Sequence, residues 1–488
     1  MNIAKRFGLF VVLAAFVVAA VSIVRTLAVG SEQTVAAPQQ ITTPVDSTAV
    51  RRLSEAIRIP TVTKFDAPAD IPQFLRFHEF LRRSFPRTHA RLAREIVDSG
   101  SLVYTWRGTD TTLAPVLLMG HMDVVPVEPG TEKDWKHPAF SGEVADGMVW
   151  GRGTLDDKIS VMGLMEATEA LLAAGYLPKR TVLFSFGHNE EGGGATAAKV
   201  AQLFKARGIA PWFVMDEGGA VGEGLVPGVA GRVALVGIAE KGYVSLRLTA
   251  KGEGGHSSMP PRETSVSIIG EAVHELQESR LPARLDGATV AMFNAIAPSL
   301  PWSRRVVMAN LWLFGPVLTR VMGGDRTGNA MVRTTTAATM ISGGIKDNVV
   351  PAEATAIVNF RLMPGDSVAW LMRRANEIID DPRVSVALVA GTGREASAVS
   401  PDTSEGYRII ASAIRESFNA RLVAPYLVVG GTDARNFELV SRNVYRFAPI
   451  LATGTTMGLL HSTNERVAVD NYLAAVRFYR VLIERSTR

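Results

Sequence analysis

Short, evenly apolar runs alternate with stretches of helical spacing through the first half of the chain. Pro115 to Met119 (PVLLM), Thr181 to Phe186 (TVLFSF) and Trp212 to Met215 (WFVM) are too short for helices and read as strands buried on both faces. Between them, Lys158 to Ala174 places apolar residues at helical spacing and stops at Gly175, and Ala195 to Arg207 stops in the same way at Gly208. Strands alternating with helices predict a largely parallel sheet and an α/β fold.

The pattern changes after residue 242. Tyr243 to Ala250 (YVSLRLTA) alternates as a half-exposed strand does, and Ser265 to Ser279 reads as an amphipathic helix. Two strands (Thr334 to Ile341, Ala354 to Leu362), a helix (Ser367 to Asp380) and a last strand (Arg383 to Ala390) follow. The order βαββαβ is the ferredoxin-like plan, interrupted by an unusually apolar stretch, Ala288 to Met322. The chain therefore divides into an α/β domain made of residues 50–242 and 395–488 and an inserted α+β domain at 243–394 that carries the apolar insertion 288–322.

Phe7 to Val24 is an uncharged apolar run preceded by Lys5 and Arg6 and closed by Arg25. At about 1.5 Å per residue it approaches the ~30 Å of a bilayer core. No Lys or Arg follows until after Val50, so the charge bias predicts an inside N-terminus and an exported body. Residues 1–30 are read either as a membrane anchor or as a signal peptide cleaved near Ala28-Val29-Gly30, which would leave a secreted or periplasmic protein. Polar, proline-containing residues 31–49 read as a tether.

Composition narrows the chemistry. A chain of 488 residues, 47% hydrophobic and 20% charged, holds two domains with ample core. The net charge of +5, without a dense basic run interleaved with aromatics, argues against nucleic-acid binding. The absence of cysteine excludes disulfides, thiol catalysis and a lipid-modified cysteine, so a zinc site has only imidazole and carboxylate to draw on. There are eight histidines.

Five separated segments carry such groups: His121-Met122-Asp123, Asp156-Asp157, Glu190-Glu191, Asp216-Glu217 and His461. In an extended backbone His121 and Asp123 face the same way, so Asp123 can accept a hydrogen bond from one imidazole nitrogen while the other binds metal. Asp156 and Asp157 lie in a glycine-flanked turn, where one carboxylate can bridge two metals or, alternatively, the acids cap a helix. Of Glu190 and Glu191, one can bind metal while the other reaches the water that the metal activates; a solvated acidic loop is the alternative. Singly these are ordinary residues. Jointly, three acid-bearing turns follow predicted strands, where open α/β sheets bind ligands.

With these segments in order, the chain resembles the zinc metallopeptidases that include aminoacylase, glutamate carboxypeptidase G, succinyl-diaminopimelate desuccinylase and vacuolar carboxypeptidase S, and within them the N-fatty-acyl-amino-acid synthase/hydrolase branch. The matching stretches are GHMDVVP (120–126), WGRGTLDDK (150–158), NEEGGG (189–194), DEGG (216–219), GGHSSMP (254–260), KDNVVP (346–351), NFRLMPG (359–365), GGTDAR (430–435) and HSTNE (461–465). The resemblance implies a zinc-peptidase catalytic domain with a mixed, mainly parallel sheet and an inserted ferredoxin-like lid. It implies one zinc held by His121, Asp156 and a DEGG acid (Asp216 or Glu217, with Asp216 favoured), and a second held by Asp156, Glu191 and His461. Other divalent metals can replace zinc in such sites. Glu190 is implied as general base, Asp123 as the residue orienting His121, and a cis peptide beside the bridging Asp156. His256 would polarise the scissile carbonyl as the lid closes, Asn348 and Arg361 would hold a substrate carboxylate, and Gly431, Thr432 and Asp433 would line the pocket.

The expected activity is hydrolysis of amide bonds in N-acyl amino acids or short peptides with a free carboxylate, by a monomer or homodimer. A dipeptidase or carboxypeptidase is the alternative within enzymes. A non-catalytic binding protein on this fold is the alternative outside them, against which the intact ligand set and Glu190 argue.

Overall fold

Parallel pairing of the three apolar runs builds the centre of the molecule. The computed structural model describes residues 3–30, 47–65 and 67–488, so most of the tether at 31–49 lies outside the described residues. Strand Val116–His121 pairs in parallel with Val182–Gly187 on one side and with Phe213–Asp216 on the other. All three are buried along their length, which is why they read as continuous apolar runs rather than as alternation. Because they run the same way, their carboxyl ends open on one edge of the sheet.

The sheet grows outward from this centre. A hairpin, Ala93–Val97 with Ser101–Trp106, adds to Val182–Gly187, its turn made by Asp98 and Ser99 in the left-handed region (φ 52° and 67°). On the other side come Val444–Arg446, Arg232–Glu240, Ala220–Glu223 and Leu451–Ala452, with Leu422–Val428 parallel to Arg232–Glu240. The sheet is therefore mixed. Helix Lys158–Ala173 crosses one face and packs against the C-terminal helix Val469–Ser486. Its first residue is wholly buried: Lys158 Nζ donates to the carbonyls of Ala56 (3.1 Å) and Ile59 (2.7 Å), and burial pulls its pKa down to about 7.

From Gly242 the chain enters the inserted unit. Strands Gly242–Lys251, Thr335–Gly343, Glu353–Leu362 and Val384–Leu388 form one antiparallel sheet, backed by helices Ser265–Glu278 and Val368–Ile379. Numbered by chain order within the unit, the strands lie 2-3-1-4, the ferredoxin-like arrangement. The apolar insertion does not enlarge this unit's core. Its first helix, Gly287–Ile296, lies on strand Leu422–Val428 of the larger sheet, and Met292, Phe293 and Ile296 share a core with Val233, Leu422 and Ala424. The physical reason is that this flank of the larger sheet needs an apolar cover, and the insertion supplies it.

The two units meet at a buried charge cluster. Glu240, the last residue of Arg232–Glu240, accepts from Arg446 Nε (2.6 Å) and Thr432 Oγ1 (2.7 Å) and pairs with Arg435. Burial alone would raise its pKa, but the two guanidinium groups outweigh it and hold the carboxylate ionised. Removing one partner of a buried ion pair leaves the others unpaired and costs about 3–5 kcal/mol. Glu240→Ala should therefore lower the urea midpoint of unfolding far more than Glu95→Ala, whose pair with Arg207 is exposed; equal losses would mean that the cluster adds little.

Candidate metal centre

The carboxyl ends of the central strands bring the scattered acids and histidines together. His121 closes its strand and is buried. Its Nδ1 lies 3.0 Å from the backbone carbonyl of Asp123, with the Asp123 carboxylate at 3.5 Å. Turned that way, the ring points Nε2 at Asp156 Oδ1 (2.9 Å) and Glu217 Oε1 (3.7 Å). Asp156 Oδ2 lies 3.0 Å from His461 Nε2, which is also 3.2 Å from Glu191 Oε1. Two groups of potential ligand atoms result, His121–Asp156–Glu217 and Asp156–Glu191–His461, sharing Asp156 with one oxygen turned to each. The Asp156–Asp157 peptide is cis.

The electrostatics call for cations at this place. Burial, then the neighbouring acids, push Glu217 and Glu190 well above the usual carboxylate range. Burial would lower His121, but hydrogen bonds to Asp123 and Asp156 and the charge of Glu217 outweigh it and raise the imidazole. His461, bonded to Asp156 and Glu191, is raised to about 10. Left to themselves these side chains would collect protons. An imidazole nitrogen aimed between two carboxylates, twice over, is a donor set that fits divalent metal, and histidine with carboxylate is a composition that zinc accepts.

The acid of DEGG that enters the group is Glu217. Asp216, favoured by the resemblance, ends its strand buried, and burial pushes it up to about 6; it belongs to neither group, and its Oδ2 has no hydrogen-bond partner among the described residues. Successive residues leaving a strand point to opposite sides, so only one of the pair can face His121.

Residues without an assigned role in the sequence hold this arrangement. Glu465, buried beneath the Asp156 turn, accepts from the backbone N–H of Gly153 (3.0 Å) and Leu155 (2.9 Å) and pairs with Arg152 (2.6 Å). Asp157 accepts from Ser160 Oγ (2.5 Å) and from the His121 N–H (3.3 Å). The Asp123 carboxylate accepts from Thr63 Oγ1 (2.5 Å) and from the N–H groups of Glu190 (3.2 Å) and Glu191 (3.0 Å), so it fixes the acidic turn as well as lying beside His121. Arg152 and Glu465 stand inside recognisable motifs, but no spacing in the chain says that they pair.

The expected substrate residues are not gathered with these groups. His256 is exposed on a short ladder, Gly255–His256 with Val349–Val350, and its Nδ1 accepts from Ser258 N (3.1 Å). Asn348 adjoins it, its carbonyl accepting from Ser257 N (3.2 Å). Arg361 is half-buried over the Tyr243 ring at 4.7 Å. Thr432 is bonded to Glu240, and a side chain on Gly431 would collide with the Arg435 guanidinium. Among the described residues, His256, Asn348 and Arg361 make no hydrogen bond or ion pair with the metal-type ligands.

Fold and site together define a metallohydrolase. Residues 117–485 match the model of peptidase family M20/M25/M40, and the chain belongs to that family. It is 38% identical over 455 residues to a probable carboxypeptidase S-like protein of Dictyostelium discoideum, covering 92% of this chain and 86% of that one. It is also 38% identical over 435 residues to an N-fatty-acyl-amino acid synthase/hydrolase of Danio rerio, covering 88% and 84%. The M20 family metallo-carboxypeptidase Sso-CP2 of Sulfolobus solfataricus shares the fold, with a TM-score of 0.66 at 16% identity over 90% of this chain and 99% of that one.

Loss of a residue that only orients ligands costs roughly 10–100-fold in metal affinity. Glu465→Ala should therefore bind metal that much more weakly although it offers no ligand, as read by titration with a chelator. Glu217→Ala should lose metal, whereas Asp216→Asn should keep it; the reverse order in elemental analysis would return the ligand role to Asp216.

Proposed function

We propose that this protein is a two-zinc hydrolase that cleaves amide bonds of N-acyl amino acids carrying a free carboxylate. The observation that carries the reading is Asp156 shared between two ligand groups, with Glu190 on the adjoining turn. His121, Asp156 and Glu217 would hold one ion, and Asp156, Glu191 and His461 the other. Bound zinc would supply Lewis acidity and lower the pKa of water. Glu190 takes the proton of the attacking water and returns it to the leaving nitrogen; its raised affinity for protons suits both halves of that task.

Arg361 receives the substrate carboxylate, since a guanidinium fork matches two carboxylate oxygens. His256 and Asn348 reach the scissile group only when the inserted unit moves toward the sheet edge, so closure and chemistry are coupled in this reading. The N-fatty-acyl-amino acid synthase/hydrolase name among the relatives supports an acylated amino acid as substrate, and the carboxypeptidase S-like name supports a peptide with a free carboxylate as the second reading. The body is exported, and helix Ile3–Ala28 is the anchor. Its segment Arg6–Ala28 is long and apolar enough to cross a membrane, and Phe7, Phe10 and Phe16 are each about 70% exposed.

Glu190→Ala should abolish turnover of an N-acyl amino acid while retaining both metals, whereas Glu191→Ala should lose metal and activity together. Near-normal turnover in the first variant would remove the proposed base. Arg361→Ala should lose about 1.5–3 kcal/mol, or roughly 10–150-fold in kcat/KM, on the carboxylate substrate. It should lose little on the carboxamide analogue; equal losses on both would take Arg361 out of carboxylate binding. Across acetyl, octanoyl, palmitoyl and oleoyl derivatives of one amino acid, kcat/KM should rise with chain length, and a preference for acetyl or for dipeptides would favour the dipeptidase alternative.

A further inference from the structure

The second half of the apolar insertion is bound to the N-terminal helix. Asn310, between helices Trp302–Ala309 and Leu311–Met322, is fully buried. Its amide donates to the Ser22 carbonyl (3.1 Å), to Thr26 Oγ1 (3.2 Å) and to the Val306 carbonyl (2.9 Å), and its Oδ1 accepts from Trp312 Nε1 (3.2 Å). Arg25 Nε donates to the Ala309 carbonyl (3.3 Å). Ser22 and Thr26, one turn apart, are the buried residues of this helix among those described, Val18 one turn before them is half-buried, and the rest are exposed. The contact thus uses small polar residues at the end of the apolar run and leaves its phenylalanines and leucines outward.

This contact sets a depth. Ser22 lies inside the run that ends at Val24, and Thr26 lies just beyond it. At about 1.5 Å per residue, both are within a few ångströms of the end of the run. If the N-terminal helix crosses a bilayer, Ala309 to Trp312 are held at the level where hydrocarbon meets headgroups. Leu311–Met322 leaves from that level with two apolar faces. Leu311, Leu318 and Met322 turn to the core shared with Val233 and Leu422. Leu313, Val317 and Val321, each four residues on from the last, are 39%, 63% and 67% exposed. Trp302 and Trp312 are half exposed, as indoles at a membrane interface are, and no charged residue lies between Arg305 and Arg320.

We infer that helix Leu311–Met322 lies in the surface of the same bilayer that the N-terminal helix crosses, with Leu313, Val317 and Val321 in the upper acyl chains. The inference rests on the anchor proposed above and is independent of the hydrolytic reading. A short apolar helix of this kind sits about 5–10 Å into the headgroup boundary. The occupant is lipid because Asn310, the residue before this helix, is bonded to Ser22 and Thr26 of the proposed anchor, whose phenylalanines are exposed. The Arg305 guanidinium is held by the insertion's own backbone, donating to the carbonyl of Pro298 (2.6 Å).

The absence of cysteine makes the test clean, since a single introduced thiol can be labelled. Full-length Val317→Cys and Val321→Cys, each carrying an environment-sensitive fluorophore, would be reconstituted into phosphatidylcholine/phosphatidylglycerol vesicles, with Lys133→Cys, on an exposed turn, as control. Flotation and mass measurement would verify that the intact chain is in the membrane. The expected result is blue-shifted emission at 317 and 321 that is lost when the upper acyl chains carry bromine, with the label at 133 unaffected. Floating protein whose labels at 317 and 321 are not quenched would overturn the inference and leave the anchor standing. Blue-shifted but unquenched emission would mean that a second copy covers the stripe, which also overturns it. Protein that does not float would overturn both anchor and inference, without touching the hydrolase reading.

Discussion

One carboxylate, Asp156, serves two imidazoles, and the rest of the site is arranged around that sharing. Its oxygens lie 2.9 Å from His121 and 3.0 Å from His461, two residues more than three hundred positions apart. Those bonds hold Asp156 ionised against a burial that would otherwise protonate it. Bringing Glu190, Glu191 and Glu217 to the same place is unfavourable for a bare chain, because each desolvated acid raises the proton affinity of the next. The fold stores a concentration of negative charge that cations relieve, which is the physical basis of a metal centre.

That concentration is tolerable only where the backbone is held firmly. Glu465 with Arg152 clamps the turn before Asp156, and Asp123 with Thr63 clamps the turn of Glu190 and Glu191. At the junction with the inserted unit, Glu240 gathers Arg435, Arg446 and Thr432. Each clamp is a buried carboxylate fully occupied by donors, so none competes for metal. Arg361 lies close enough to this last cluster to feel its charge, which links the position of a proposed substrate residue to the junction about which the inserted unit is carried.

The two apolar segments that carry none of the metal-type ligands are connected to each other. Buried Asn310 ties the N-terminal helix to the insertion, and the insertion's first helix covers the flank of the larger sheet. The N-terminal helix is thereby joined to the body by side-chain hydrogen bonds as well as by the chain between them.

Periodicity alone located the central strands and their helices, because strands buried on both faces read as unbroken apolar runs and a helix ending at glycine announces its stop. The βαββαβ order of the inserted unit was legible for the same reason. The hairpin of Ala93–Val97 with Ser101–Trp106 was not, since Ala93–Val97 is a largely exposed edge strand in which Arg94 and Glu95 interrupt the apolar pattern. The motifs named the acids and histidines, but not which of Asp216 and Glu217 faces His121: adjacent residues have the same composition signal and opposite directions, and only the register of strand Phe213–Asp216 against its neighbours decides between them. Nor could the chain say that Glu465 lies under Asp156, that the insertion covers the larger sheet, or that Asn310 meets Ser22. Those are contacts between segments far apart in the chain, and they exist only once the sheet has set where each segment ends.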